Sequence, residues 1–288
     1  MWICCGMRFS LLTLNLHTWQ ESDQLDKLDR IAQFAVEENV TAICLQECAQ
    51  SRSAELIDEG PLRADNTGHL LRERLVVYGL KYSLAWDWSH YGFERYEEGS
   101  AVLSQLPFLG SCSQYVSGTD DPGTVQSRKV VMARLAVGPA TVIDVYSVHL
   151  SPPAEGSESQ TDALVGFVGD TPNLLEQMKP PPPKRRGPPR KRAAIEDPTV
   201  LTRLVCLAGD FNVTPDGHVP RLKEYGYLEA SAAARDTQAG TGTFEDGRWI
   251  DYVFVKPAVR PQAASVVFHG DDRPCVSDHY GLVVEFEV

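Results

Sequence analysis

The chain has 288 residues, with 27 basic against 39 acidic, for a formal net charge of −12. A hydrophobic content of 43% and a charged content of 23% are ordinary for a globular protein; they exclude whole-chain disorder, a collagen-like repeat and a continuous coiled coil. No apolar run approaches the roughly 18 residues that a membrane-spanning helix needs, so no transmembrane helix and no membrane partner are expected.

The charge is unevenly spread. Residues 179–192, KPPPPKRRGPPRKR, hold seven basic residues and no acidic one, which leaves 20 basic against 39 acidic elsewhere, near −19. An acidic body argues against a broad nucleic-acid face, whereas the basic run by itself would suit one. Seven cysteines, an odd number with no C-x-x-C pair, suggest neither a disulfide framework nor a zinc site. Reduced thiols point to a cytoplasmic protein.

Along the chain, the opening MWICCG lacks the basic segment and cleavage site of a signal peptide, and Met7 is an alternative start. Residues 9–16 form an apolar, strand-like run that ends beside Asn15 and His17. In 25–38, Leu25, Leu28, Ile31, Ala32 and Ala35 recur at helical spacing. TAICLQE (41–47) is a short buried-type strand ending on Glu47, and residues 70–78 read as a second helix. An aromatic segment follows, with seven aromatic residues between Tyr78 and Tyr96. Strands are then predicted over 100–108, 129–137, 141–150, 203–211, 248–255, 263–269 and 280–288. Between 152 and 198 the periodicity vanishes, and Pro, Gly, Ser and Glu precede the basic run, so this stretch is expected to be a flexible, solvated insertion. The whole implies one catalytic domain over 7–288, an α/β fold of two packed sheets flanked by helices.

The strand ends carry the chemistry. Asn15, Glu47, His149, Asp210 with Asn212, Asp251, and Asp278 with His279 each close or follow an apolar strand. Carboxylates without cysteine partners are hard oxygen ligands, suited to Mg²⁺ or Mn²⁺. A histidine beside a carboxylate suits proton transfer, because the carboxylate fixes the tautomer and supports the charged ring. Together these groups suit attack of water on a phosphoester.

The motifs TLNLH (13–17), ICLQE (43–47), EGSAVLSQLP (98–107), YSVHL (146–150), AGDFN (208–212), WIDYVFV (249–255) and SDHYG (277–281), in this order, resemble the endonuclease/exonuclease/phosphatase superfamily with its DNase I-like fold. The resemblance implies a four-layer α/β sandwich of two mostly antiparallel sheets flanked by helices, and a metal-dependent phosphoester hydrolase. It implies that Glu47 is the principal metal ligand, with Asn15 contacting metal or phosphate and Asp278 supporting the metal. Asp210 and Asn212 would flank the scissile phosphate, with Asn212 stabilising developing charge. His279, oriented by Asp251, would activate water or donate to a phosphoryl oxygen, and His149 would bond the phosphate and protonate the leaving group. Many family members carry Arg or Lys after AVLS where this chain has Gln105; Arg128 could supply that cation instead.

For the substrate, WDWSHYGFERYEEG (86–99) resembles a bacterial branch of the superfamily linked to sugar-phosphate hydrolysis, which includes maltose 6'-phosphate phosphatase. That implies a phosphorylated sugar as the partner; the aromatic cluster is either sheet core or a platform near the site, in which Trp88 and Tyr96 would stack on the sugar beside Arg128. The alternative is a DNA endo- or exonuclease that holds the phosphate backbone with the basic insertion.

Overall fold

The run at residues 8–15 is apolar at nearly every position because its strand is covered on both faces. Along β1 (Arg8–Asn15), Phe9 and Leu11 face one core, whereas Leu12 and Leu14 face another. Period-two alternation therefore feeds two hydrophobic layers from one strand. The structure, a computed structural model, describes residues 6–57, 60–138, 141–178, 202–217, 219–238, 240–257 and 259–288.

After β1 come α1 (Gln24–Glu37), β2 (Ala42–Ser51), α2 (Thr67–Val77), β3 (Ser83–Gly92), β4 (Tyr96–Ser104), β5 (Phe108–Tyr115), β6 (Lys129–Gly138) and β7 (Thr141–His149). Then follow α3 (Ser157–Gln177), β8 (Thr202–Asp210), the short α4 (Val219–Glu224), β9 (Leu228–Glu229), α5 (Ala232–Thr237), β10 (Asp251–Lys256), β11 (Ala263–Val267) and β12 (Gly281–Glu287). They build two six-stranded sheets, ordered β11-β12-β1-β2-β4-β3 and β5-β6-β7-β8-β10-β9. Each sheet is antiparallel except at its centre, where β1 pairs in parallel with β2 and β7 with β8. The sheets pack face to face: Leu11, Cys44 and Val102 from the first lie in one core with Val131, Val145 and Leu207 from the second. Helices α1 and α2 cover the outer face of the first sheet, where Leu28, Ile31, Phe34, Leu71 and Leu75 meet Leu14, Ile43 and Leu45. This is the expected four-layer α/β sandwich.

A parallel strand pair cannot be joined by a tight turn; it needs a crossover, usually a helix. For β1 and β2 the crossover is α1. For β7 and β8 it is α3, which corrects the expectation of a flexible insertion for its described part, 152–178. Residues 157–177 are helical, and their buried positions, Ser157, Gln160, Thr161, Leu164, Phe167, Val168, Thr171 and Leu175, follow three- and four-residue steps. Four of those eight are polar, which hid the stripe from a search for apolar periodicity. The Phe167 ring meets Tyr146 edge-on at 5.5 Å, and the Tyr146 hydroxyl lies 2.8 Å from Thr171 Oγ1. Arg203 ties the helix to the sheet by donating to the Val168 carbonyl at 2.9 Å and to the buried Asp144 at 2.5 Å. The basic run at 179–192 lies outside the described residues, as do residues 1–5 and with them the alternative start at Met1. No helix among the described residues is long and apolar enough to cross a membrane. The described cysteines, Cys44, Cys48, Cys112, Cys206 and Cys275, are all unpaired.

If α3 is a core layer, Phe167→Ala will cost about 3–5 kcal/mol in chemical denaturation, the range for a fully buried aromatic residue. A peripheral insertion would lose almost nothing.

Candidate active site

Strand register assembles the polar residues. In the second sheet His149 pairs with Asp210 across β7 and β8, and Asp210 pairs with Asp251 across β8 and β10, so the three form one row. Gly209 permits that approach: a Cβ there would sit 1.9 Å from the Val148 carbonyl oxygen. In the first sheet, Asn15 ends β1, and Glu47 sits where the register of β2 against β4 shifts between Leu45 and Cys48. Glu47 takes φ +46° within this bulge, a left-handed conformation that re-aims its side chain out of the strict alternation.

Hydrogen bonds then join the sheets. Asn15 Nδ2 donates to Glu47 Oε1 at 3.0 Å and to Asp210 Oδ2 at 3.2 Å, while its Oδ1 accepts from the His17 backbone N–H at 3.1 Å. Asp210 Oδ1 accepts from the Asn212 backbone N–H at 2.8 Å, and its Oδ2 lies 3.6 Å from His149 Nε2 and 3.7 Å from His279 Nε2. His279 Nδ1 is 3.0 Å from Asp251 Oδ2. On the other flank, Arg128 Nη1 lies 3.2 Å from both ring nitrogens of His149, and its Nε donates to Ser151 Oγ at 3.3 Å.

These contacts give the two histidines opposite characters. Burial, then the Arg128 charge, push His149 well below its ordinary value, so its ring is neutral. Burial alone would also depress His279, but the charges of Asp251 and Asp210 and the Asp251 hydrogen bond outweigh it and lift His279 to about 10. Burial pushes up both Glu47 and Asp210, and nearby Glu98 adds to the effect on Glu47. Asp251 Oδ1 is buried with no hydrogen-bond partner among the described residues. The oxygens of the half-buried Glu47, brought beside the buried Asp210 by Asn15, suit a hard divalent cation, and Glu47 would hold it. A protonated His279 is no ligand; it remains a hydrogen-bond donor.

The sequence matches the Endonuclease/Exonuclease/phosphatase family over residues 18–279. The chain belongs to that family. Among solved structures it is similar to an endonuclease/exonuclease/phosphatase family protein from Leptotrichia buccalis C-1013-b, at 22% identity and TM-score 0.77, covering 97% of this chain and 100% of that one. It is also similar to truncated TDP2 from Caenorhabditis elegans, at 16% identity and TM-score 0.61, with 98% of each chain covered. A third such structure is the family protein from Bacteroides vulgatus, at 16% identity and TM-score 0.61, covering 98% and 99%. No curated protein sequence matches the chain.

Within the family pattern, the structure brings together Asn15, Glu47, Arg128, His149, Asp210, Asn212, Asp251 and His279. Two expectations change in detail. Asn15 holds two carboxylates with its amide nitrogen and spends its oxygen on His17, so it orients ligands and is not set as one. Asn212 Nδ2 is turned to the Leu150 carbonyl at 2.9 Å. Asp278 stands apart, 3.6 Å from His17 Nδ1, which in turn contacts Glu21 at 2.8 Å. His17 is thus part of a His–Glu–Asp group at the rim. Trp88 and Tyr96 do not line the recess beside Glu47 and His149; its aromatic residue is Phe93. Strand alternation turns Trp88 to the helix side, where it packs on the second core and stacks on Tyr91 at 5.0 Å. Gln105, in place of the usual cation, donates to the Val40 carbonyl at 2.8 Å, a structural role.

Sequence reading missed Thr243 and Phe244. Thr243 Oγ1 accepts from the N–H groups of Ile250 and Asp251 at 3.0 Å each, and the Phe244 ring meets His279 edge-on at 4.8 Å. They lie in a loop without periodicity, where no signal marked them. Gln46 and Ser147, also missed, bond each other across the sheets at 2.9 Å and sit inside apolar strands that read as plain core.

In the metal-free protein, Asp251→Asn will lower the His279 pKa from about 10 toward its ordinary 6.5, read by NMR titration of the ring. Because the folded value is raised, His279 contributes stability fully present below pH 6.5 and lost as pH rises through about 10. The variant will therefore lose stability in the acid-to-neutral range and show a flatter profile above it.

Proposed function

We propose that the protein is a divalent-metal-dependent phosphomonoesterase that uses Mg²⁺ or Mn²⁺ and acts on a phosphorylated sugar. One observation carries the hydrolytic reading: the half-buried Glu47 and the buried Asp210, joined by Asn15 and flanked by a neutral His149 beside Arg128 and a charged His279 beside Asp251. Bound there, the ion would supply Lewis-acid polarisation of the phosphoryl oxygen and neutralise its charge.

The residues divide the remaining work. Asp210, its carboxyl raised by burial, takes the proton of the attacking water. His279, held protonated, donates to a phosphoryl oxygen and stabilises the charge that develops there. Arg128 supplies the permanent positive charge on the other side, with His149 as a neutral partner that fixes its position. Attack is in line and direct: the bond from water to phosphorus forms as the bond to the sugar oxygen breaks, the departing alkoxide takes a proton from solvent water, and no covalent enzyme intermediate forms. The sugar assignment is supported by the acidic body of the chain and by the small recess beside Glu47 and His149, about 320 Å³, a volume suited to one ring rather than to a duplex.

With Mg²⁺ or Mn²⁺, the protein will release phosphate from a sugar monophosphate, and chelation with EDTA will abolish the release. Asp210→Ala and His279→Ala will each lower kcat by about 10²–10⁴-fold with the fold retained by circular dichroism. The nuclease alternative is tested by deleting residues 179–192: cleavage of duplex DNA that weakens with the deletion and falls steeply with salt would favour it over the sugar reading.

A further inference from the structure

The recess continues past the hydrolytic residues into a wall that the chemistry above does not use. Besides Glu47, Arg128 and His149 it is lined by Gln20, His90, Phe93, Glu98 and Val125. His90 is buried, and its Nε2 lies 3.1 Å from Glu98 Oε1 while its Nδ1 lies 3.2 Å from the Ser127 carbonyl. The carboxylate of Glu98 is thereby held by one oxygen. Its Oε2 has no hydrogen-bond partner among the described residues, and it packs against Gly92, where a Cβ would come within 2.8 Å of it. A fixed carboxylate with one free oxygen at a cavity wall is an acceptor awaiting donors.

The lip of the recess is equally unusual. Phe93 is 71% exposed and Val125 54% exposed, so two apolar side chains stand at its mouth. Phe93 and Glu94 are the central residues of the Gly92–Arg95 turn that leads from β3 to β4, with φ +50° and +57°. Such a turn ordinarily uses Asn-Gly, because both central residues are left-handed. A bulky aromatic residue kept in that conformation, and left in solvent, indicates that its position is used. The charge of this wall is negative: Glu98 lies near enough to Glu47 to raise it, and the one permanent cation of the recess, Arg128, already faces His149.

Resting on the phosphomonoesterase reading, we propose that this recess is the leaving-group subsite and that it takes an uncharged polyhydroxylated ring. Hydroxyls of the ring donate to Glu98, which His90 positions, and the apolar face of the ring lies against Phe93. Glu98 is a specificity residue, and His90 a positioning residue. The same carboxylate rejects a second phosphate on the sugar, because a dianion would be placed beside it with no cation to spare.

The test is steady-state kinetics of the full chain with Mg²⁺ on three substrate types: hexose and disaccharide monophosphates, a hexose bisphosphate, and p-nitrophenyl phosphate, whose leaving group has no sugar hydroxyls. Glu98→Gln will raise KM for the best sugar monophosphate by about 10–100-fold, the range for losing hydrogen bonds to a charged group, with kcat within about 2-fold and the KM for p-nitrophenyl phosphate unchanged. Wild-type protein will use the bisphosphate at least about 10-fold less efficiently than the monophosphate, and Glu98→Gln will narrow that gap. Phe93→Ala, a change at an exposed turn that leaves the core intact, will raise the sugar KM by about 3–10-fold. Equal losses on sugar and aryl substrates in Glu98→Gln, or equal use of mono- and bisphosphate by the wild type, would overturn the subsite while leaving the phosphomonoesterase reading in place. Absence of release from every sugar monophosphate, with p-nitrophenyl phosphate still hydrolysed, would overturn both the sugar assignment and the subsite.

Discussion

The site depends on one buried carboxylate. Asp210 is 1% exposed and ends a strand at the interior of a sandwich, where an unpaired charge is costly. The neighbouring groups all answer that charge. Asn15 reaches it from the opposite sheet, the Asn212 backbone caps it, and His149 and His279 approach it from either side. Asp251 then secures His279, so the positive ring persists where the charge of Asp210 needs it. With Glu47 close by on Asn15, the negative charge still exceeds what the histidines and Arg128 compensate. That excess of carboxylate charge is what supports the proposed cation.

The sandwich supplies this arrangement through the two parallel strand pairs among the described residues. β1 with β2 and β7 with β8 stand at corresponding places in their sheets, and each pair carries polar residues at its ends. A parallel pair aligns the carboxyl ends of two strands side by side, so residues distant in sequence become neighbours without any contribution from a loop. Antiparallel β10 brings Asp251 to the same row from its amino end. The crossover helices α1 and α3 are consequences of that pairing, and they also form the outer layers that bury the sheets.

Under the proposed reading, reactivity and selectivity would occupy different parts of one recess. Glu47, Arg128 and His149 belong to the phosphate end, and His90, Glu98 and Phe93 to the far wall. The β3–β4 hairpin provides the far wall, and its register shift between Trp88 and His90 separates the two aromatic populations. Trp86 and Trp88 join the helix-side core, whereas His90 turns inward to meet Glu98. Substrate preference can therefore vary on the hairpin while the hydrolytic residues on the sheet centre stay in place.

By itself the sequence determined the family, the strand–helix–strand opening and most of the residues at the hub. Those are local properties: an apolar strand closing on Asn15, Glu47, His149 or Asp210 is visible within ten residues, because burial on both faces demands a continuous apolar run and chemistry demands a polar end. The structure alone decided what depends on contacts between distant segments. It turned a Pro-, Gly- and Ser-containing stretch into α3, because a parallel pair must be bridged and because polar side chains such as Gln160 and Thr171 find partners only once packed. It kept Trp88 on the helix side with Trp86, turned His90 to the recess through the bulge that follows, and placed Phe93 at the lip in the turn after β3. It also made His149 neutral and His279 charged, a distinction that composition and spacing do not contain, since the pKa of a histidine is set by burial and by the sign of the charges that folding brings beside it.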